Sequence, residues 1–189
     1  MARLTKNVGC QYIPELTRPN AIAPGYIFEL QGYWQSYLHF TKFGDNIQER
    51  IFAATHSTIA KVSELFIDIY KKKFTLTPKF SFDNCSSFKK QLAQSNLITW
   101  VRIHVRRLDF ISLQLSSSDE YLFSAIKYYT SYYLNVHFMV TTDDKPYCRN
   151  LFRDGPNITL TPETFSMGDD LITLSLCEHS IVTTGTFGW

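Results

Sequence analysis

With 189 residues, 44% of them hydrophobic, the chain can bury one well-packed core, or one small domain plus part of another. Nineteen Lys and Arg against seventeen Asp and Glu leave a formal charge of +2, too small a bias to argue for a nucleic-acid or membrane-surface partner, so any ligand has to be read from local sites. No apolar run reaches the roughly eighteen residues a membrane span needs, and the opening Met1-Ala2-Arg3-Leu4-Thr5-Lys6-Asn7 has no signal-peptide stretch. Two sequons, Asn84-Cys85-Ser86 and Asn157-Ile158-Thr159, suit a lumenal protein instead, and the two signals leave the compartment open. The four cysteines, Cys10, Cys85, Cys148 and Cys177, have no CxxC spacing, which argues against zinc and leaves disulfides and buried thiols as equal readings. Eleven Tyr and fifteen Phe favour an aromatic core over sugar-stacking faces.

Residues 1–43 mix Pro14, Pro19 and Pro24 with Gly25 and Gly32 and read as loops and short strands. Over 45–73 the apolar residues Ile47, Ile51, Phe52, Ile59, Val62, Phe66 and Ile69 fall at helical spacing. Lys71, Lys72 and Lys73 close that helix at the negative end of its dipole, a better account of them than phosphate binding. The polar stretch 75–96, with Pro78 and a sequon, reads as an interdomain connection. The expected division is therefore an N-terminal region 1–96 and a second domain 97–189.

From Leu97 the signals alternate. A β-rich run covers 97–105, and a Ser117-x-x-Glu120 capping box opens a helix to about Tyr133. A second strand covers 136–141, Asp144 and Pro146 start a short helix to Phe152, and 158–160 is a third strand. A buried helix at 169–178 and a strand at 180–184 follow. Strands separated by helices of this length predict right-handed crossovers and a parallel sheet, an α/β nucleotide-binding layout.

Ligands of such sheets bind beyond the carboxyl ends of the strands. The residues there are Arg106, Arg107 and Asp109, then Thr141, Thr142, Asp143 and Asp144, then Thr184, Gly185 and Thr186. Arginine donates two hydrogen bonds to one phosphate and stays charged, Asp143 can accept from a ribose or base, and a Thr-Gly-Thr turn can present N–H groups to phosphate. The plainer reading is a salt-bridge network of these arginines with Asp109 and Asp143, with His104 a hydrogen-bonded core histidine. Asp143 and Asp144 suit ribose contact and helix capping better than a magnesium clamp. P-loop, dinucleotide, zinc-protease and α/β-hydrolase motifs are absent, and the residues by themselves lead as far as a diphosphate-nucleotide binder.

His104-Val105-Arg106-Arg107-Leu108-Asp109-Phe110 resembles the His-Val-Arg-Arg-Gly-Asp-Tyr signature of the α-1,2-fucosyltransferases, glycosyltransferase family 11. Two further blocks match in order: Phe138-Met139-Val140-Thr141-Thr142-Asp143-Asp144 followed by Tyr147-Cys148-Arg149, and Asp170-Leu171 onward to Thr184-Gly185-Thr186-Phe187-Gly188-Trp189. Gly32-Tyr33-Trp34-Gln35-Ser36 is similar to the family's Gly-Tyr-x-x-Ser segment, so the likeness runs over about 30–189.

The resemblance implies a two-domain GT-B-like α/β scaffold whose parallel-sheet nucleotide-sugar domain is incomplete here and is preceded by a partial, helix-containing N-terminal domain. It implies inverting, metal-independent transfer of fucose from GDP-β-L-fucose to the 2-hydroxyl of a terminal galactose in the Golgi lumen. Arg106 would be the catalytic cation. His104, Arg107, Asp109, Asp143, Thr184, Gly185 and Thr186 would join it in holding the donor, and Tyr33 and Trp34 would be sugar faces or domain packing. Against the family pattern the chain reads as lacking a membrane anchor and the terminal helices. Leu108 stands where the family has glycine, which would crowd the donor if that position needs φ > 0. That departure and the stop at Trp189 keep a second reading alive, an inactive relative or fragment acting as a glycan- or partner-binding module.

Overall fold

The computed structural model describes residues 2–8, 26–32, 54–74, 79–80, 84–185 and 187, the first two stretches by backbone alone. Contacts group the chain into two units, Met1–Ala53 and Ala54–Trp189. In the first, β1 (Ala2–Val8) and β2 (Tyr26–Gly32) pair in parallel, from Ala2 opposite Tyr26 to Val8 opposite Gly32.

The second unit is built on a parallel sheet. Its elements run α1 (His56–Lys73), α2 (Cys85–Ser95), β3 (Thr99–Val105), α3 (Leu108–Ser112), α4 (Asp119–Tyr132), β4 (Val136–Thr142), α5 (Lys145–Leu151), β5 (Ile158–Leu160), α6 (Met167–Leu176) and β6 (His179–Ile181). The strand order is β5-β4-β3-β6. All seven residues of β4 are buried, as a parallel strand covered on both faces requires. On one face Val101, Ile103, Val105, Phe138 and Val140 pack with Leu122 of α4 and Cys148 of α5. On the other, Trp100 and Met139 pack with Val62, Phe66 and Tyr70 of α1, Phe88 and Leu92 of α2, and Ile172 and Leu176 of α6. The Phe66 and Trp100 rings lie 4.5 Å apart, the Tyr70 and Trp100 rings 5.6 Å. From β3 the chain winds outward through β4 to β5, then returns to add β6 on the far side of β3. The direction of winding reverses between β3 and β6, and their carboxyl ends frame the crevice where open α/β sheets take ligands.

The sequence reading of the β-α-β-α-β-α-β order holds except that a short unpredicted helix, α3, stands between β3 and α4, with further local corrections. α1 starts at His56, because Thr55 is extended and accepts the Thr58 N–H at 3.2 Å; the predicted turns at 45–53 lie outside the described residues. Part of the expected connection is α2, capped by Asn84 Oδ1 on the Ser87 N–H at 2.8 Å and ended by Asn96 at φ 47°. Only Phe88 and Leu92 are buried from α2, so a single i, i+4 pair carries its apolar face and the polar residues around it hide the period. The two helices pack on the sheet, which is why the units part at Ala53 and Ala54 rather than near Asn96. The cap of α4 is Ser118, not Ser117. α6 begins at Met167, two residues earlier than read, behind a capping box of Ser166 and Asp169. β6 is shorter than expected and leaves 182–185 as a turn.

Cys85, Cys148 and Cys177 are free thiols, and Cys10 lies outside the described residues. Burial pushes Cys148 up to about 11 and Cys177 up to about 12, so both are inert packing groups. Among the described residues no helix is long and apolar enough to cross a membrane.

His137 faces the same side of the sheet as Trp100, its register partner, and shares a hydrogen bond with Thr159 Oγ1 at 2.8 Å. Burial, with Lys73 nearby, lowers its pKa from 6.5 to about 3. The folded state therefore keeps His137 neutral over a range in which the unfolded chain binds a proton. Stability is full above pH 6.5 and falls as pH drops towards 3, by up to about 1.4 kcal/mol per pH unit. His137→Phe, whatever its effect at neutral pH, is expected to flatten that slope. Urea unfolding between these limits measures it, and an unchanged slope would move the acid sensitivity to another group.

Candidate functional site

β3 delivers two arginines to the crevice. Its last residue, Val105, is pinned to the end of β4 by Thr142, whose hydroxyl donates to the Val105 carbonyl at 2.8 Å and accepts the Asp144 N–H at 2.9 Å. Asp143 then joins both arginines: its Oδ1 accepts the main-chain N–H of Arg107 at 2.9 Å, and its Oδ2 lies 3.1 Å from Nη1 of Arg106. The other nitrogen of Arg106, Nη2, meets Asp109 Oδ1 at 2.8 Å from the first turn of α3. The hydrogen bond from Arg106 holds the Asp109 carboxyl below its usual range, and the same bond holds the guanidinium above its own. Arg107 turns away from Arg106, with Nε 3.4 Å from Asp144 Oδ2 and the guanidinium carbon 3.4 Å above the centre of the Tyr147 ring. The salt-bridge network read from the sequence is thus present, with Asp144 as its additional member.

The other wall is the turn after β6. Thr183 Oγ1 donates to the His104 carbonyl, and the Thr184 N–H donates to Ser117 Oγ at 3.2 Å. Ser117 is committed to this turn, which explains why the cap of α4 falls to Ser118. Gly185 has φ 101°, and a Cβ there would sit 3.2 Å from both Cβ and Cγ of Arg106. Both the backbone angle and the closeness of the arginine stem call for glycine. His104 is buried, with its ring 4.8 Å from Phe187. Burial lowers its pKa, and the charges of Asp143 and Arg106 pull in opposite directions; its buried Nδ1 has no hydrogen-bond partner, so the hydrogen-bonded core histidine read from the sequence is not met at that atom.

His104, Arg106, Arg107, Asp109, Asp143, Thr184 and Gly185 therefore meet at one sheet edge; Thr186, Tyr33 and Trp34 lie outside the described residues. Sequence reasoning passed over Tyr147 as the seat of Arg107, Asp119 as the acceptor of the Tyr147 hydroxyl, and Ser117 as a tether. The Asp144-Lys145-Pro146 signal pointed only to the helix cap that Asp144 also provides, its Oδ1 accepting the Tyr147 N–H at 3.1 Å. Leu108 corrects the steric concern. It opens α3, its φ is negative, since among the described residues only Asn96 and Gln114 combine positive φ with a side chain, and it is 61% exposed. Among the described residues no three His, Cys, Asp or Glu side chains gather as a metal cluster. Asp109, Asp143 and Asp144 are instead turned onto guanidinium groups.

A parallel sheet that reverses its winding between β3 and β6, with paired arginines and a glycine turn at the reversal, is a doubly wound α/β domain. Residues 66–189 match the sequence profile of glycosyl transferase family 11, and the chain belongs to that family. It is 26% identical over 99 residues, 48% of this chain, to "Galactoside 2-alpha-L-fucosyltransferase SEC1" of Bos taurus, of which that stretch is 27%. It is 28% identical over 107 residues, 52% of this chain, to "Galactoside 2-alpha-L-fucosyltransferase Sec1" of Mus musculus, of which they are 29%. To "Galactoside alpha-(1,2)-fucosyltransferase 2" of Gorilla gorilla gorilla it is 28% identical over 99 residues, 48% of this chain and 29% of the relative. The chain spans less than a third of the length of these curated relatives. No solved structure matches it.

Two substitutions separate backbone demand from side-chain crowding in this crevice. Gly185→Ala forces a side chain into φ 101° against Arg106 and is expected to lower stability by about 1–2 kcal/mol, with a displaced guanidinium. Leu108→Gly removes only an exposed side chain at a helix start and should cost under about 1 kcal/mol. Thermal unfolding of both variants tests this ordering, and the reverse order would contradict it.

Proposed function

We propose that the protein to which this chain belongs transfers fucose from GDP-β-L-fucose to the 2-hydroxyl of a terminal galactose, with inversion and without a metal ion. The observation that carries the reading is the position of Arg106, at the carboxyl end of β3 with the Gly185 turn packed against its stem. Membership of glycosyl transferase family 11 and likeness to relatives named as galactoside fucosyltransferases support the choice of donor and acceptor. The reading includes a Golgi lumenal setting, which the sequons at Asn84 and Asn157 suit.

In a single displacement at the anomeric carbon, GDP leaves with growing negative charge on its diphosphate. A guanidinium held beside that charge stabilises the transition state more than the ground state. Arg106 is the candidate. Its exposed partner Asp109 is a carboxylate that a diphosphate can replace, because a surface ion pair is worth only about 0–1 kcal/mol. In the same reading the Thr184 and Gly185 turn approaches the phosphates by its backbone, and Asp143 keeps the Arg106–Arg107 turn in place. In this reading Asp143 and Asp144 serve the arginines rather than a divalent ion, a choice supported by their contacts with Arg106 and Arg107. The alternative is an inactive relative acting as a glycan- or partner-binding module, and the helical, exposed Leu108 gives it no steric support.

Calorimetry of the full-length protein with GDP and GDP-fucose is expected to give the same affinity with and without EDTA. Loss of binding on chelation would assign Asp143 and Asp144 to a metal and overturn the reading. Arg106→Lys is expected to lower kcat by about 2–4 kcal/mol of transition-state stabilisation while KM changes less, since a point charge cannot reproduce a bidentate contact that strengthens as GDP departs. Unchanged turnover in steady-state transfer assays would return Arg106 to a structural role.

A further inference from the structure

Two consecutive arginines with the same chemistry are held in opposite ways. Arg106 has a side chain 36% exposed, and one of its carboxylate partners, Asp109, is 55% exposed, so part of its pairing is a weak surface contact open to exchange. Arg107 is 20% exposed and restrained three times over: by the main-chain bond to Asp143, by Asp144 against Nε, and by the Tyr147 ring beneath the guanidinium. That ring is itself fixed. Its hydroxyl donates to Asp119 in the first turn of α4, its own N–H is taken by Asp144, and it packs against the core shared by α4, α5 and the sheet. Burial and the Asp119 bond both keep the phenol protonated, so the donor is in place across physiological pH. Nε of Arg107 is buried and faces Asp144 as an ion pair without a hydrogen bond, so the ring beneath is the closest restraint on the guanidinium plane.

We propose that Tyr147, braced by Asp119, is a positioning residue that seats the Arg107 guanidinium so that a diphosphate meets one preset cation beside one exchangeable cation, Arg106. The inference rests on the reading of this crevice as the GDP site. Stacking on an aromatic face fixes the plane of a guanidinium and restricts its side-chain torsions before the ligand arrives, so less ordering remains to be done on binding. The same stack also explains why the arginine that follows the strand at Arg106 is not simply redundant with its neighbour. Tyr147 touches neither donor nor acceptor in this account and acts only through Arg107.

The test uses the full-length protein, with GDP affinity by calorimetry and kcat and KM of fucose transfer as separate readouts. Tyr147→Leu removes the ring and is expected to weaken GDP binding about tenfold, appearing chiefly in KM. Tyr147→Phe keeps the ring while losing the bond to Asp119, and is expected to restore affinity to within about threefold of the parent. Tyr147→Leu placed on Arg107→Ala should add no further loss, because the ring acts through that side chain. Parent-like GDP affinity in Tyr147→Leu, or fully additive losses in the double variant, overturns the proposal. If Tyr147→Leu does not fold, Arg107→Lys leaves the ring and Asp119 untouched while removing the flat cation. About tenfold weaker binding is expected from it, and parent-like binding overturns the proposal. A parent protein that fails to bind GDP sinks both this inference and the reading beneath it, whereas a parent that binds GDP beside variants that bind equally well sinks this inference alone.

Discussion

Asp143 holds the crevice together. One oxygen takes the main-chain N–H of Arg107 at 2.9 Å and the other faces the Arg106 guanidinium at 3.1 Å, so a single carboxylate from the end of β4 fixes both the path of the chain leaving β3 and the charge it carries. Its side chain is only 14% exposed against 55% for Asp109, so water screens its charge less, although Asp109 is the partner to which Arg106 hydrogen-bonds. Remove it, and the Arg107 N–H loses its acceptor while Arg106 is left with the Asp109 carboxylate alone. The neighbouring Thr142 completes the lock by joining β3 and β4 through one hydroxyl.

Behind this rim the sheet is covered unequally. The α4 and α5 face is aliphatic along β3 and β4. The opposite face carries Trp100, Arg102, His104, His137 and Thr141, polar or half-polar side chains beneath α1, α2 and α6. The buried titratable groups around the sheet obey desolvation before attraction. Lys145 and Asp170, 3.9 Å apart and largely buried, shift against the sense of an ion pair, Lys145 downward and Asp170 upward, because burial outweighs their mutual pull at that distance. Lys145 is better served by the Thr161 carbonyl, which accepts from its ammonium at 2.9 Å. His104 and His137 follow the same rule and stay neutral.

The architecture also explains why glycine is demanded at one turn and dispensable at another. Gly185 has to pass the stem of Arg106 with positive φ, a condition set by the approach of β6 to β3 across the reversal of winding. Leu108 follows Arg107 directly into a helical turn, with its side chain in solvent, and needs no such freedom.

The sequence by itself determined the strand order and the longer helices from residue 97 onward, though not the short α3, as well as the parallel sense of the sheet and the set of residues at the strand ends. Period-2 and period-3.6 patterns, Ser, Asp and Pro caps, and the polar residues that follow each strand are all local signals. What only the tertiary structure decided were the pairings between distant segments. α2 was hidden because its burial depends on Phe88 and Leu92 meeting α1 and Trp100. Ser117 left its expected cap because Thr184, far along the chain, takes its hydroxyl. The two arginines were equivalent in the sequence, and became unlike because Tyr147 of α5 lies under one and Asp109 of α3 faces the other. Each of these outcomes depends on which surfaces remain uncovered once the sheet has closed around its two cores, and local spacing carries no information about that.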